Sequence, residues 1–426
     1  MSQGRSEFVG SDVLPARELI FIILVALAIR LSWAATISVA PLSDSHAYDI
    51  FARNLLHYGV FGWTSDTPFA FWPPGTSFLY AGVYRVFGES FSNIVGLNIL
   101  LSCGLLAATA RVACRFYGGQ VATVATGILA IWPTLIMFTT VLASELPFML
   151  FTIGALDAWS MPRRSLLLRS IIAGGLLGAA ALVRPLALAL PLLFGVSLCF
   201  SGPFSLKVLG TEFRMVFVSS IIMALVISPW TWRNYKLYGE PVLISTNGGI
   251  TFWMGNSPGT DGGYMEIPDR LSQLNDNEQS KILGEEARDY IRDYPAAFAS
   301  RTLKKVLQLY SNESIGVSWN LRGINDSFGD HAILFFKRLT QISWALIFLL
   351  AFAGLVIVVS SYGWRAMISP VVICIIFYTL VCGIIVSQDR YHLAFAPQLA
   401  ILAAVGLLSF RKRFLVHRMP SSPASL

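Results

Sequence analysis

Four ionisable side chains in this chain stand inside or beside long apolar runs, where a charge needs a reason: Arg30, Glu145, Asp157 and Arg184. On insertion scales such a charge costs about 3 kcal/mol at the centre of an apolar span. Arg30 reads as a residue paired within a helical bundle, and Asp157 as one close enough to a helix end to reach water. Glu145 and Arg184, in Leu-Ala-Ser-Glu-Leu-Pro and Leu-Val-Arg-Pro, fall instead at the ends of their runs, at the level of a third charge, Asp44. A carboxylate can take a proton and a guanidinium offers paired donors to an anion, so acids and an arginine at one level point to chemistry.

Asp44 belongs to the polar stretch 41–74. There Asp44, Tyr48 and Ala52 recur every four residues, as do Phe51 and Leu55, which predicts a short amphipathic helix with its apolar side against lipid. Spacing alone leaves a solvated interhelical loop open. Composition settles the setting: 55% hydrophobic and 13% charged residues, with a mean hydropathy of +0.64, describe a polytopic membrane protein. The net charge of +7 does not imply nucleic acid, because the Lys and Arg residues lie mostly in short loops beside apolar runs. The five cysteines show no paired spacing and no Cys/His cluster, so neither a disulfide framework nor a zinc site is predicted.

Apolar runs at 19–40, 91–112, 120–138, 141–160, 166–183, 185–201, 215–230, 341–360, 367–386 and 393–410 predict roughly ten spans, the first an uncleaved one. The segment 75–88 is short and contains Arg85, and laying it on the surface puts the loop arginines and lysines on one side. Both ends then face the cytoplasm, and 41–90, the turn at Glu145, 231–340 and 387–392 share the opposite face. The expected parts are a transmembrane catalytic module, 1–230, an extracytoplasmic subdomain, 231–340, and carboxyl-terminal spans with a basic tail, 341–426. Within 231–340, Asn275 or Asp276 caps a helix through Arg292 and Pro295 starts another, both laid on the membrane surface. The glycines at 248, 249, 255, 259, 262 and 263 lack a following Gly-Lys-Ser/Thr and read as a flexible substrate-covering loop.

The order Asp44-x3-Tyr48-x3-Ala52-Arg53-Asn54, Pro73-Pro74-Gly75, Ser144-Glu145, Arg184-Pro185, Pro229-Trp230-x2-Arg233-Asn234-Tyr235, Thr246-Asn247-Gly248-Gly249, Gly255-Asn256 and Asp389-Arg390-Tyr391-His392 resembles bacterial glycosyltransferases of the protein-mannosyltransferase and aminoarabinose-transferase superfamily. The resemblance runs from the first span to the last; it departs where Ser45 follows Asp44, since relatives commonly carry Asp-Glu there. It implies the C-type glycosyltransferase fold, all-helical and polytopic, in a bacterial inner membrane. It further implies transfer of a sugar from a polyprenyl-phosphate carrier to a lipid, glycan or protein acceptor on the extracytoplasmic face. An inverting transfer needs a base and cations for the leaving phosphate. Asp44 takes the first role and Glu145 stands as a second acid. Arg184, Arg233 and Arg390 are candidate phosphate clamps, and Tyr48, Arg53, Asn234, Asn256, Tyr391 and His392 complete the expected substrate site. No cofactor is required; a divalent cation shared by Asp44 and Glu145 stays open. Each arginine alone reads equally as an interfacial anchor. The rival activity is a lipid-linked sugar flippase, which calls for charged or broken helices at the membrane midplane.

Overall fold

The computed structural model describes residues 14–200 and 205–416, which are helical with no strand among them. The first half contains α1 (Ala16–Thr36), α2 (Asp44–Tyr58), α3 (Gly75–Phe87), α4 (Phe91–Tyr117), α5 (Gly119–Ile131), α6 (Pro133–Met137), α7 (Glu145–Trp159), α8 (Leu166–Val183), α9 (Leu190–Phe200) and α10 (Leu206–Tyr238). The polar region holds α11 (Asn247–Asn256), α12 (Asp276–Asp293), α13 (Pro295–Ser311), α14 (Ile315–Trp319) and α15 (Leu321–Phe328). The long α16 (Asp330–Tyr362), then α17 (Pro370–Ile384) and α18 (Ala396–Val416), complete the described chain.

Each of the ten predicted apolar runs falls on helix. Among the described residues, six helices are long and apolar enough to cross a membrane, and seven if the bent pair at α5 and α6 is one span. The remaining runs are shorter: α7 has 15 residues, and Pro185–Phe200 and Pro370–Ile384 are short apolar helices. The 57° bend between α5 and α6 follows from Pro133, which cannot continue the hydrogen-bond ladder. Arg30 satisfies the carbonyls freed there, donating to Ala130 at 2.9 Å and Leu129 at 3.3 Å. Asp157 is paired with Arg111 (2.7 Å) and Arg115 (3.1 Å), which ties α7 to α4. Both charges are thus structural.

Three expectations change. The apolar side of α2 faces protein, not lipid: Ala47, Tyr48, Phe51 and Ala52 are buried, and α2 packs on α3. Helix α12 carries the expected Asn275 cap as a full capping box, but its Leu283 and Ala287 are buried against Ile250, Trp253 and Met254 of α11 and do not lie on a membrane surface. The glycine run divides: Gly248, Gly249 and Gly255 lie in α11, where Gly249 has no room for a Cβ against the Ser280 carbonyl, nor Gly255 against that of Ile385, while Gly259, Gly262 and Gly263 lie in the loop after it. Gly249 and Gly255 bring α11 into backbone contact with α12 and with the segment after α17. From α13, Lys305 donates to Asn256 Oδ1 (3.0 Å) and to the carbonyls of Ile384 (3.0 Å) and Ile385 (3.2 Å), locking the same junction. Burial, and then the neighbouring Arg301, bring the Lys305 pKa down to about 8.

Candidate active site

A cavity of about 570 Å³ is lined by the start of α2, the segment 71–73, the residue before α7, the end of α8 and the residues after it, α11, α17 and the connection between α17 and α18. Asp44 is the first residue of α2, where the helix dipole favours a carboxylate. Just before it, Ser43 has φ +53°, one of two non-glycine residues in the left-handed region among those described. Such strain is usual where a site over-determines the backbone. Glu145 opens α7 in the same way. Arg184 follows α8 with an extended backbone imposed by Pro185, so its side chain turns back to Ser144 and Glu145.

The side chains form a closed charge network. Arg390 Nη2 lies 2.5 Å from Asp44 Oδ2, and its Nη1 lies 3.9 Å from Glu145 Oε1. Arg184 Nη2 donates to the same Glu145 oxygen at 2.6 Å, and its Nε and Nη2 donate to Ser144 Oγ at 3.0 and 2.9 Å. The Glu145 side chain is fully buried and its Oε2 has no partner, while Asp44 keeps 23% exposure. Trp72 Nε1 faces Asp44 Oδ1 at 3.4 Å. Burial acts to lower the Arg390 pKa, but the carboxylates of Asp44 and Glu145 together raise it; at Arg184 burial again acts to lower the pKa, and Glu145 with Tyr48 and Tyr391 raises it. The Tyr48 phenol is pushed up by burial and then by Asp44, so it stays protonated and can donate. Beside these groups and the polar Asn247, Thr251 and Gln388 the lining is largely apolar, with Leu186 and Leu188 after Pro185 and Phe377, Val381 and Ile385 on and after α17.

The structure thus brings Asp44, Tyr48, Arg184, Arg390 and Tyr391 to one cavity, with Glu145 buried behind it. The other expected residues are elsewhere. Arg53 pairs with Asp49 (3.0 Å) and Glu89 (2.5 Å) on another face of α2. Arg233 lies over the Trp230 ring and donates to the Phe69 carbonyl at 3.0 Å. Asn234 is buried and holds the carbonyls of Val242 and Ile244. Asn256 holds those of Phe252 and Ile384. His392 is buried, stacked on Trp344 with 4.0 Å between ring centroids, its Nδ1 directed at the Leu309 carbonyl. Each of the five serves backbone or neighbouring side chains and does not line the cavity, which corrects their expected place in a substrate site. Ser144, Asn247 and Gly248 from within quoted motifs, Trp72 and Gln388 adjoining them, and Tyr264, which had no signal, line it instead.

Among the described residues no three His, Cys, Asp or Glu side chains are grouped to hold a metal ion. The two acids at the cavity are paired with two guanidinium groups, with which a shared divalent cation would compete.

No protein-family model matches the sequence, and comparison with curated proteins finds no match. Solved structures do match. The Archaeoglobus fulgidus oligosaccharyltransferase in complex with Zn and sulfate aligns with a TM-score of 0.54 at 15% identity, over 94% of this chain and 50% of that one. AglB from the same organism, in complex with an inhibitory peptide and a dolichol-phosphate, gives 0.52 at 13%, over 96% and 52%. ArnT from Cupriavidus metallidurans in the apo state gives 0.55 at 14%, over 93% and 62%. The chain therefore spans 50% to 62% of the length of these proteins and shares their fold, the C-type glycosyltransferase fold that the sequence resemblance implies.

Proposed function

From this fold and this cavity, we propose that the chain is a membrane glycosyltransferase that moves a sugar from a polyprenyl-phosphate carrier to an acceptor hydroxyl or amine, with inversion. The carrying observation is the pairing of Asp44 with Arg390 inside a cavity whose remaining lining is largely apolar. A lipid-linked phosphate has both halves of the matching chemistry. Its chain suits the apolar lining, and its phosphate competes with Asp44 for the Arg390 guanidinium. The presence of dolichol-phosphate in the AglB complex supports such a donor.

Binding of the donor phosphate draws Arg390 from Asp44 and frees the carboxylate. The acceptor then attacks the anomeric carbon while Asp44 takes its proton; the acceptor–carbon bond forms and the carbon–oxygen bond to phosphate breaks. The leaving polyprenyl phosphate carries its added negative charge onto Arg390, with Arg184 alongside. Glu145, locked between the two arginines, holds them in place. No step is routed through a metal. The site faces outward from a bacterial inner membrane, with both chain ends cytoplasmic, as the arginine bias requires.

The test is a panel of undecaprenyl-phosphate sugars given to the purified protein in vesicles, with release of undecaprenyl phosphate as readout. Wild type should release it in the presence of envelope acceptors, and Asp44→Asn should not. Release at equal rates by both would end the assignment of Asp44 as base.

A further inference from the structure

Arg390 makes contacts that the proposed reaction does not use. Its guanidinium lies over the Trp319 ring at 4.5 Å, and its Nε donates to Gln388 Oε1 at 3.0 Å. The plane is therefore fixed on one face and at one edge. The two terminal nitrogens are left pointing at Asp44 and Glu145.

Trp319 is itself held. Phe138 stacks against it at 6.2 Å, and the next residue, Asn320, donates to the carbonyls of Met137 (3.1 Å) and Gly316 (2.8 Å) and accepts from Thr140 Oγ1 at 2.6 Å. At the other end of α14, Ser314 donates from its backbone and its hydroxyl to Asp389, the neighbour of Arg390, at 3.3 and 3.0 Å. The short segment 312–320 thus grips the Arg390 connection at two points, and among the described residues no other aromatic ring lies as close to that guanidinium.

We infer that Trp319, with Gln388, is a positioning residue that holds Arg390 ready for a phosphate, presenting its paired terminal N–H groups to the headgroup of the lipid donor. This rests on the reading of Arg390 as a phosphate clamp. The guanidinium is a rigid fork whose two terminal N–H groups already lie along one edge, and holding it flat on an indole fixes where that edge points, so less side-chain freedom is lost when a phosphate binds. Apolar contact with the lipid chain does not depend on that orientation. Loss of the ring therefore acts on recognition of phosphate and spares recognition of the tail.

The experiment titrates full-length protein in detergent with undecaprenyl phosphate and, separately, with undecaprenol. The selectivity ratio is compared across wild type, Trp319→Leu, Trp319→Phe and Gln388→Leu. Trp319→Leu should lower the preference for the phosphate about tenfold through lost cation–π contact and lost orientation, leaving undecaprenol binding unchanged, and Trp319→Phe should restore most of it. Gln388→Leu should shift the ratio in the same direction and serves if Trp319→Leu fails to fold. Equal loss of both ligands in the folded variants, or an unchanged ratio, overturns the inference. Absence of any phosphate preference in wild type overturns the clamp reading beneath it, a separate outcome.

Discussion

Helix α2 carries acid–arginine chemistry on two faces, and only one of them meets a cavity. On one side Asp44 pairs with Arg390 at 2.5 Å; on the other Asp49 pairs with Arg53 at 3.0 Å, and Arg53 reaches Glu89 at 2.5 Å. The second cluster also has a tyrosine donating to its acid, Tyr84 to Asp49 at 2.5 Å, and a histidine, His57, against Glu89. By inventory the two are nearly equivalent. They differ in surroundings: Arg53 is 31% and Glu89 28% exposed, whereas Arg390 is 10% and Glu145 0% exposed. Water reaches Arg53 and Glu89, although Asp49 at 10% is less exposed than Asp44 at 23%, and the partners of this set lie within one local helix pair. The second set is assembled from segments as far as 346 residues apart and borders space for a ligand. Residue type does not set the two faces apart, nor does burial of the acid; a cavity beside the charges does.

The comparison breaks most visibly at the acids. Asp44→Asn should reduce transfer by roughly 100- to 10,000-fold, the usual loss with a general base, at unchanged protein level. Asp49→Asn should keep transfer within about threefold, because it removes a contact outside the cavity. Rates for the two variants in one assay decide the matter, and a larger loss from Asp49→Asn would move the catalytic face of α2.

Stability should separate the faces next. Glu145→Gln removes the charge that two buried arginines share, and breaking a buried pair typically costs about 3–5 kcal/mol. Glu89→Gln, at a screened surface cluster, should cost less than about 1 kcal/mol. Thermal unfolding in detergent reads both. Similar melting shifts would mean that water reaches Glu145 in the folded protein.

These contrasts explain what the sequence could and could not tell. Glu145 and Arg184 stood out as charges at the ends of apolar runs, Asp44 as an acid at their level and Arg390 through the family resemblance, and the run lengths and loop arginines outlined the helical architecture. Pairing was not legible, since nothing in the spacing of Asp44 and Arg390 marks them as neighbours. Asn234, Asn256 and His392 belong to motif-like polar strings, but a side chain that holds a backbone carbonyl and one that holds a ligand look the same in one sequence. Arg53 was misplaced for a subtler reason: helical period puts Asp44 and Tyr48 together and sends Arg53 round to the side of Asp49. Trp319 gave no signal, as a lone aromatic in a short helix. The lipid-facing assignment of α2 failed because α3 covers its apolar side.

At the arginines the expected effect is smaller. Arg390→Lys and Arg184→Lys should each raise the donor concentration needed for half-maximal rate by about an order of magnitude, from one charge-assisted contact of roughly 1.5 to 3 kcal/mol. Arg53→Lys should leave it unchanged. Donor titrations that show no difference between Arg390→Lys and Arg53→Lys would return Arg390 to a structural role.

The smallest expected effect is the response to chelation. If the buried cluster worked by sharing a divalent cation, Asp44 and Glu145 would have to turn from their arginines towards the ion, exchanging close contacts of 2.5 and 2.6 Å for metal bonds. That exchange would leave two guanidinium groups buried beside an added dication, a repulsion that the low-dielectric surroundings make severe. Charge balance already holds without the ion, so EDTA treatment and dialysis should leave transfer within about twofold, and added Mg²⁺ or Mn²⁺ should not raise it. A loss beyond tenfold on chelation, restored by one of these ions, would show that the acids leave their arginines in the substrate complex. The two faces of α2 would then differ by a metal as well as by the cavity.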